Sequence, residues 1–166
     1  MHWKPLIRLI SILSFAFALP VQAQDGTSDP AAVPEQNLAV ASTEGLQIID
    51  AESVDLDAFL WTKRVLAVFS DTPADPRYVQ QMQLLTERPR DLIERDVVVV
   101  TDTDPDARSD LRRNLRPRGF ALVLVDKDGV VKLRKPSPWS TREIARSIDK
   151  TPLRRQEIRE RSGTSG

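Results

Sequence analysis

The chain of 166 residues contains no cysteine and a single histidine, His2. Thiol–disulfide exchange needs a thiolate, so this chemistry is excluded. Zinc sites built from Cys and His side chains also have no ligands here. Only Gly119 and Gly129 lie in the region expected to fold, which is too few for a glycine-rich phosphate loop. The sequence therefore lacks the residues of most familiar catalytic centres.

The first 23 residues have the pattern of a secretory signal peptide. Lys4 and Arg8 make a short basic start, residues 9–19 are apolar, and small residues end at Ala23. The apolar run is shorter than the roughly 20 residues that a membrane-spanning helix requires. We expect cleavage after Ala23, a periplasmic or secreted location and no stable membrane anchor afterwards. Cleavage would also remove His2.

The charge balance bears on the class of partner. The chain carries 24 Lys and Arg against 24 Asp and Glu, and loss of Lys4 and Arg8 leaves 22 cations. A chain that coats nucleic acid usually has a basic excess, so nucleic acid is not expected as a partner. Another periplasmic protein is the partner class that we expect, and no feature of the sequence indicates the oligomeric state.

The export signal is followed by a polar region. Residues 24–53 are rich in Asp, Ser, Pro, Ala and Gln and show little periodicity. This composition predicts a disordered or weakly ordered leader, with one short ordered piece near Ile48. The folded domain is expected over 54–161, and 162–166 should form a frayed tail.

Two strands and two helices are indicated in the first half of the domain. Residues 64–70 and 96–101 are apolar on both alternating faces, as in the central strands of a helix-covered sheet. After the first strand, Asp75 and Pro76 predict a helix N-cap followed by proline in the first turn. Asp104-Pro105 repeats that signal after the second strand. A shorter helix is predicted over 55–62.

The second half of the domain is predicted to form a β-hairpin followed by helices. Strands are predicted over 120–125 and 130–133, joined by a tight turn at Asp128-Gly129. Ser140 and Glu143 have the spacing of a capping box at the start of a helix. The order is therefore β-α-β-α-β-β-α. It predicts an α/β, thioredoxin-like fold with a central mixed four-stranded sheet and flanking helices.

Four segments carry a more specific resemblance. They are WTKRVLAVF at 61–69, ERDV at 94–97, GFALVLVDKDG at 119–129 and PLRRQE at 152–157. In this order they resemble the secreted bacterial family called domain of unknown function 4174, over about 54–161. The resemblance implies a thioredoxin-like fold without redox cysteines and supplies no activity. In thioredoxins the reactive Cys-x-x-Cys follows the first central strand, where this chain has SDTPADP at 70–76.

The helix start after that strand offers candidate binding residues. Asp71, Asp75 and Arg77 could bind a small anion, because a helix N-terminus favours negative charge. The preferred interpretation is that Asp75 only caps its own helix. The same three residues would serve a hydrolase that uses carboxylate or hydroxyl groups. No residue is assigned as catalytic, and no cofactor is expected.

Arginine is concentrated in two places, 112–118 and 154–161. Such clusters are usually solvated faces paired with nearby acids, and the alternative is an acidic partner or lipid headgroup. Arg154, Arg155 and Glu157 are the candidate partner-binding residues, because no core requirement explains them. The leading hypothesis is accordingly a protein-binding or scaffolding module. Trp61 is expected to pack the first helix against the sheet, with a binding aromatic as the alternative.

Asp102, Asp104, Asp106 and Asp110 are spaced somewhat like a Ca²⁺ loop. The positions that need glycine and a bidentate Glu hold Ala107 and Arg113, so no metal site is expected.

Overall fold

The structure is a computed structural model that describes residues 41–43 and 45–163. The predicted signal peptide and most of the predicted leader lie outside the described residues, as does the end of the tail at 164–166. Export and cleavage therefore remain predictions. In the described part of the chain, no helix is long and apolar enough to cross a membrane.

The core of the domain is a mixed six-stranded sheet in the order β1-β2-β4-β3-β5-β6. Strands β2, β4 and β3 run parallel, while β1, β5 and β6 each pair antiparallel with their neighbours. The strands are β1 Ala41–Thr43, β2 Leu46–Asp50, β3 Arg64–Phe69, β4 Val97–Asp102, β5 Ala121–Val125 and β6 Val131–Lys135. The four predicted strands and their directions are confirmed, and the α/β, thioredoxin-like class holds.

The sheet is wider than predicted because the end of the expected leader belongs to it. Strand β2 lies parallel to β4, with Ile48 opposite Val99, and Leu46 is completely buried. The short ordered piece expected near Ile48 is strand β2, and it belongs to the sheet of the domain, which the sequence did not predict. The local signal is weak, since only five residues form β2 and polar ones interrupt them. Hydrogen bonding to β4 stabilises a strand that the local sequence alone does not predict.

In the described part of the chain five α-helices flank the sheet: α1 Pro76–Glu87, α2 Pro89–Ile93, α3 Asp110–Leu115, α4 Thr141–Asp149 and α5 Pro152–Gly163. Helix α1 begins as predicted, with Asp75 as N-cap and Pro76 in its first turn. Both halves of the predicted capping box of α4 are present.

Two helix predictions need correction. Helix α3 starts at Asp110 with Ser109 as its N-cap, and the Asp104 side chain instead accepts the Asp106 amide in a local turn. An Asp-Pro pair fits a turn as well as a helix start, which explains the error. The predicted helix at 55–62 is a single 3₁₀ helix, Leu56–Phe59.

The buried strands separate two apolar layers. One face of β3 and β4, with Leu66 and Val99, packs together with residues of α1, α2 and α4. The opposite face, with Phe69 and Val98, packs against α3 and the 3₁₀ helices. Because both faces of these strands are buried, the residues that a ligand or partner could reach lie near the two ends of the strands. The carboxyl end of β3 meets the start of β5, and the amino end of β3 meets the β5–β6 turn.

Candidate functional site

The loop at the carboxyl end of β3 occupies the place where thioredoxins carry their cysteines. The Ser70 amide donates to the Asp102 carbonyl at 3.0 Å, and its hydroxyl donates to the Thr72 carbonyl at 2.8 Å. The Ser70 carbonyl accepts from Arg112 Nη2 at 2.8 Å. Ser70 is fully buried, so its hydroxyl is committed to the loop and has no access to a substrate.

Asp75 and Arg77 are engaged with each other. The Asp75 carboxylate accepts from the Arg77 amide and from Arg77 Nη2, both at 2.8 Å. The hydrogen bond from the Arg77 side chain lowers the pKa of Asp75 below its ordinary value. This is the capping role that the sequence favoured. An anion arriving at this helix start would meet a carboxylate already in place.

Asp71 lies close to this pair without joining it. Its carboxylate is 62% exposed and lies 3.8 Å from Arg112 Nη1. The position that a Cβ would take on Gly119 is 3.7 Å from Asp71 Oδ2 and 3.9 Å from Arg77 Nη2. Asp71, Arg77 and Gly119 are thus neighbours at the carboxyl end of β3. Among the described residues nothing donates a hydrogen bond to the Asp71 carboxylate, which gives it no partner for proton transfer.

The acids that resemble a Ca²⁺ loop have protein partners. Asp102 is buried and accepts from Ser109 Oγ at 2.5 Å and from Arg112 Nη2 at 2.6 Å. Asp110 is paired with Arg113. Asp102 therefore holds the start of α3 to the end of β4, whereas the Asp110 pair lies within α3.

The amino end of β3 holds a buried charge network. Arg64 is completely buried, and its Nε lies 2.8 Å from Asp126 Oδ1. Its Nη2 donates to Glu157 Oε1 at 3.0 Å, and its Nη1 donates to the Arg95 carbonyl at 2.8 Å. A buried guanidinium is tolerated only when it is paired in this way.

Glu157 is the shared anion of the network. Besides Arg64, it contacts Lys127 Nζ at 3.0 Å and Arg154 Nη1 at 3.1 Å. Burial alone would raise the pKa of Glu157, but hydrogen bonds from Arg64, Lys127 and Arg154 together lower that pKa to about 2. The carboxylate is therefore charged at any physiological pH and ties α5 to the sheet.

This arrangement corrects the interpretation of Arg154 and Glu157 as partner contacts. Arg154 is only 7% exposed and lies 3.7 Å from Asp149, which Arg95 holds at 2.8 Å. The two residues meet a core requirement that the sequence did not reveal. Of the three candidates on α5, Arg155 alone points to solvent.

Beside the network lies an apolar patch, defined here as Leu60, Trp61, Val130 and Val131. All four are exposed, Trp61 most of all at 69%, so the expectation that Trp61 packs helix against sheet is wrong. The Trp61 amide donates to the Lys127 carbonyl at 2.8 Å, and Leu60 Cδ2 lies 3.8 Å from the Cβ position of Gly129. These contacts gather the patch around the β5–β6 turn.

A cleft of about 260 Å³ adjoins the apolar patch. Its walls include Leu56 and Phe59 from the 3₁₀ helix, Leu115 from α3 and Val125 from β5. An apolar cleft beside exposed apolar side chains is typical of an interaction surface.

At the other end lies the basic cleft, defined by Arg116, Arg118, Arg134 and Lys135. It encloses about 430 Å³ and is also lined by Phe120, Ala121 and Pro136. The sequence grouped Arg116 and Arg118 with Arg112, which the structure instead uses to hold Asp102. Arg134 and Lys135 were missed, because only the β5–β6 pairing brings them to the loop after α3.

Solved structures of other proteins are similar to this chain. The chain is similar to the reduced 2-Cys peroxiredoxin of Plasmodium vivax, with 18% identity and a TM-score of 0.51 over 63% of this chain and 85% of that one. It is also similar to chloroplastic thioredoxin z, with 20% identity and a TM-score of 0.47 over 64% of this chain and 96% of the other. The peroxiredoxin likeness supports the fold alone, since the identity is low.

No curated protein matches the chain significantly. The family described as domain of unknown function DUF4174 matches residues 55–157, which include β3 to β6 and the first half of α5. This match covers more than half of the chain, and the chain therefore belongs to the DUF4174 family, with a thioredoxin-like fold and no cysteine.

Proposed function

We propose that this chain is an exported, non-redox thioredoxin-like domain that binds another protein outside the cytoplasm. The signal pattern of residues 1–23 supports export, and the absence of cysteine leaves the fold without its usual chemistry. The observation that carries the proposal is Trp61, which is held outward on a left-handed backbone beside an apolar cleft.

The backbone at Trp61 makes its exposure meaningful. Trp61 has a φ of 62°, a conformation that costs an L-residue roughly 1–2 kcal/mol and that Gly or Asn adopts more readily. Exposure of a large aromatic ring to solvent does not offset this conformational cost. Aromatic side chains are enriched in protein interfaces, where one ring covers a large area. A partner presenting an apolar segment to the patch and the adjacent cleft accounts for both features.

The hydrolase alternative has weaker support. Asp75 is engaged with Arg77, Ser70 is buried, and Asp71 receives no hydrogen bond from the described residues. Within residues 45–163, no nucleophile and base come together at this end of β3.

Site-specific photo-crosslinking tests the proposal. A photoreactive amino acid replaces Leu60 in the chain expressed in its native host, and the matched control replaces Val79, an equally exposed apolar residue of α1. We expect position 60 to form a discrete adduct with one other exported protein, and Trp61→Ala to abolish it. Position 79 should give no such adduct.

Two results would contradict the proposal. An adduct with the mass of two copies of this chain would make the patch a self-association surface. Equal crosslinking from positions 60 and 79 would mean that the patch has no specific partner. Export is checked separately, because the mature chain should begin at Gln24 when its intact mass is measured.

A further inference from the structure

The basic cleft contains cations that the domain itself does not neutralise. Arg116 and Arg118 are exposed, and neither has an ion pair with any residue in the described part of the chain. By contrast, Arg112 and Arg113 in the same stretch are paired with Asp102 and Asp110. The cluster that the sequence presented as uniform is thus divided into structural and unpaired members.

The remaining cations of the cleft are held in place by neutral contacts. Arg134 Nη2 donates to the Leu115 carbonyl at 2.8 Å, and Lys135 Nζ lies 4.1 Å from the centre of the Trp139 ring. Neither contact removes the positive charge. Arg77 extends the same surface, because its guanidinium stands over the Phe120 ring at 5.5 Å.

The acids near this surface are few. Asp75 is occupied by Arg77, and Asp71 stands 3.8 Å from Arg112. Glu143 is the acid that faces Lys135, and its carboxylate also accepts from the Ser140 amide and hydroxyl in the capping box of α4. The surface around the cleft therefore keeps a positive excess although the chain as a whole has equal numbers of cations and acids.

Protection of the sheet edge does not explain Arg116 and Arg118. Edge strands often carry lysine to discourage strand pairing, and Lys132 of β6 fits that role. Arg116 and Arg118, however, lie in the loop after α3 and not on the edge strand. Arginine also binds carboxylates through two parallel hydrogen bonds, which lysine cannot do.

We infer that the basic cleft binds an acidic polypeptide segment of the partner protein. A cleft of about 430 Å³, with cations contributed by a loop and by the end of β6, fits several carboxylates along a chain better than one small anion. The inference rests on the proposed function, since it concerns a second contact with the same partner. It lies at the opposite end of the sheet from the apolar patch, so the two contacts are separable.

The test uses a fluorescein-labelled peptide of alternating Glu and Thr, about eight residues long, and measures its anisotropy with the full mature chain at low salt. We expect Arg116→Gln/Arg118→Gln to weaken binding tenfold or more. The matched control is Arg90→Gln/Arg159→Gln, which removes the same charge from exposed positions of α2 and α5 that do not line the cleft. We expect this control to change binding by less than twofold, and both variants to keep the parental melting temperature.

Several outcomes would overturn the inference. Equal losses in the two double variants would mean that the peptide is attracted to the overall charge of the protein. An unchanged affinity for a peptide with Gln in place of Glu would show that carboxylates have no role.

Binding to phosphatidylglycerol vesicles without binding to the peptide would assign the cleft to a lipid surface. Peptide binding that appears only after Asp25, Asp29 and Glu35 are neutralised would assign it to the chain's own leader. If the peptide fails while crosslinking from position 60 persists, only the inference fails.

Discussion

At the scale of single residues, the domain depends on charges that are not at its surface. Arg64 opens a fully buried strand, yet it is itself completely buried and shares Glu157 with Lys127 and Arg154. Removing one member of such a network leaves an uncompensated charge in a site that excludes water, and this is more costly than removing the whole group. Arg154 and Glu157 of the segment PLRRQE at 152–157 are therefore explained by stability before any function is considered.

Glu157→Gln should destabilise the domain strongly. We expect a loss of about 3 kcal/mol in the free energy of unfolding, because Arg64, Lys127 and Arg154 would lose the carboxylate that they share. Urea denaturation at neutral pH measures the change. Glu87→Gln, at an exposed position of α1, is the control and should change the free energy by less than about 0.5 kcal/mol. A small effect at Glu157 would mean that the network is dispensable.

The same carboxyl predicts how stability depends on pH. The pKa of Glu157 falls from 4.5 to about 2 on folding, so its contribution is complete above pH 4.5 and is lost as the pH drops towards 2. The melting temperature of the parent should fall across this window by more than that of Glu157→Gln. Parallel curves for the two proteins would contradict the assignment.

Substitution of Trp61, unlike that of Glu157, is not expected to lower the stability of the domain. Trp61→Asn should leave the stability unchanged or raise it by up to about 1 kcal/mol, because Asn tolerates a φ of 62° better. Crosslinking from position 60 should nevertheless be lost. Thermal unfolding and crosslinking are measured on the same preparation. A clear loss of stability would show that the ring contributes to packing and not to a partner.

At the scale of elements, the sequence correctly predicted those turns and helix starts whose contacts are all made between residues close together in the chain. The turn at Asp128-Gly129 and the capping box at Ser140 were confirmed, because each is formed by neighbours in sequence. The start of α3 was misplaced, since an isolated Asp-Pro pair satisfies a turn equally well. Its real cap, Ser109, also donates to the buried Asp102, a contact that bridges the loop.

Ser140→Ala should weaken α4 by about 1 kcal/mol, because the hydroxyl would no longer accept from the Glu143 amide. Chemical denaturation provides the measurement. Ser137→Ala in the preceding exposed turn is the matched control and should be neutral. An equal effect at the two serines would argue against the cap.

At the scale of the whole molecule, the sheet extends into the polar region before the domain. Strand β2 covers one edge of β4, and Leu46 reaches the same apolar layer as Leu92 and Ile148. The family match begins only at residue 55, so this strand lies outside the matched region. The stable unit is thus larger than both the sequence pattern and the family match suggest.

Leu46→Ala should cost about 3 kcal/mol, as expected for truncation of a fully buried leucine. Gln47→Ala, at the neighbouring exposed position, should be nearly neutral. Equilibrium unfolding of both variants decides whether β2 is part of the cooperative unit. If the two substitutions have equal effects, the strand does not contribute to the core.

The sequence by itself determined the order of the four central strands along the chain, the presence of helices between them and the impossibility of thiol chemistry. These follow from local periodicity, turn residues and residue types. Only the tertiary structure decided that Arg154 is buried and paired with Glu157, that Trp61 is exposed and that Arg116 meets Arg134 in one cleft. The reason is physical: burial and charge pairing depend on distances between segments far apart in the chain, and no local pattern encodes those distances.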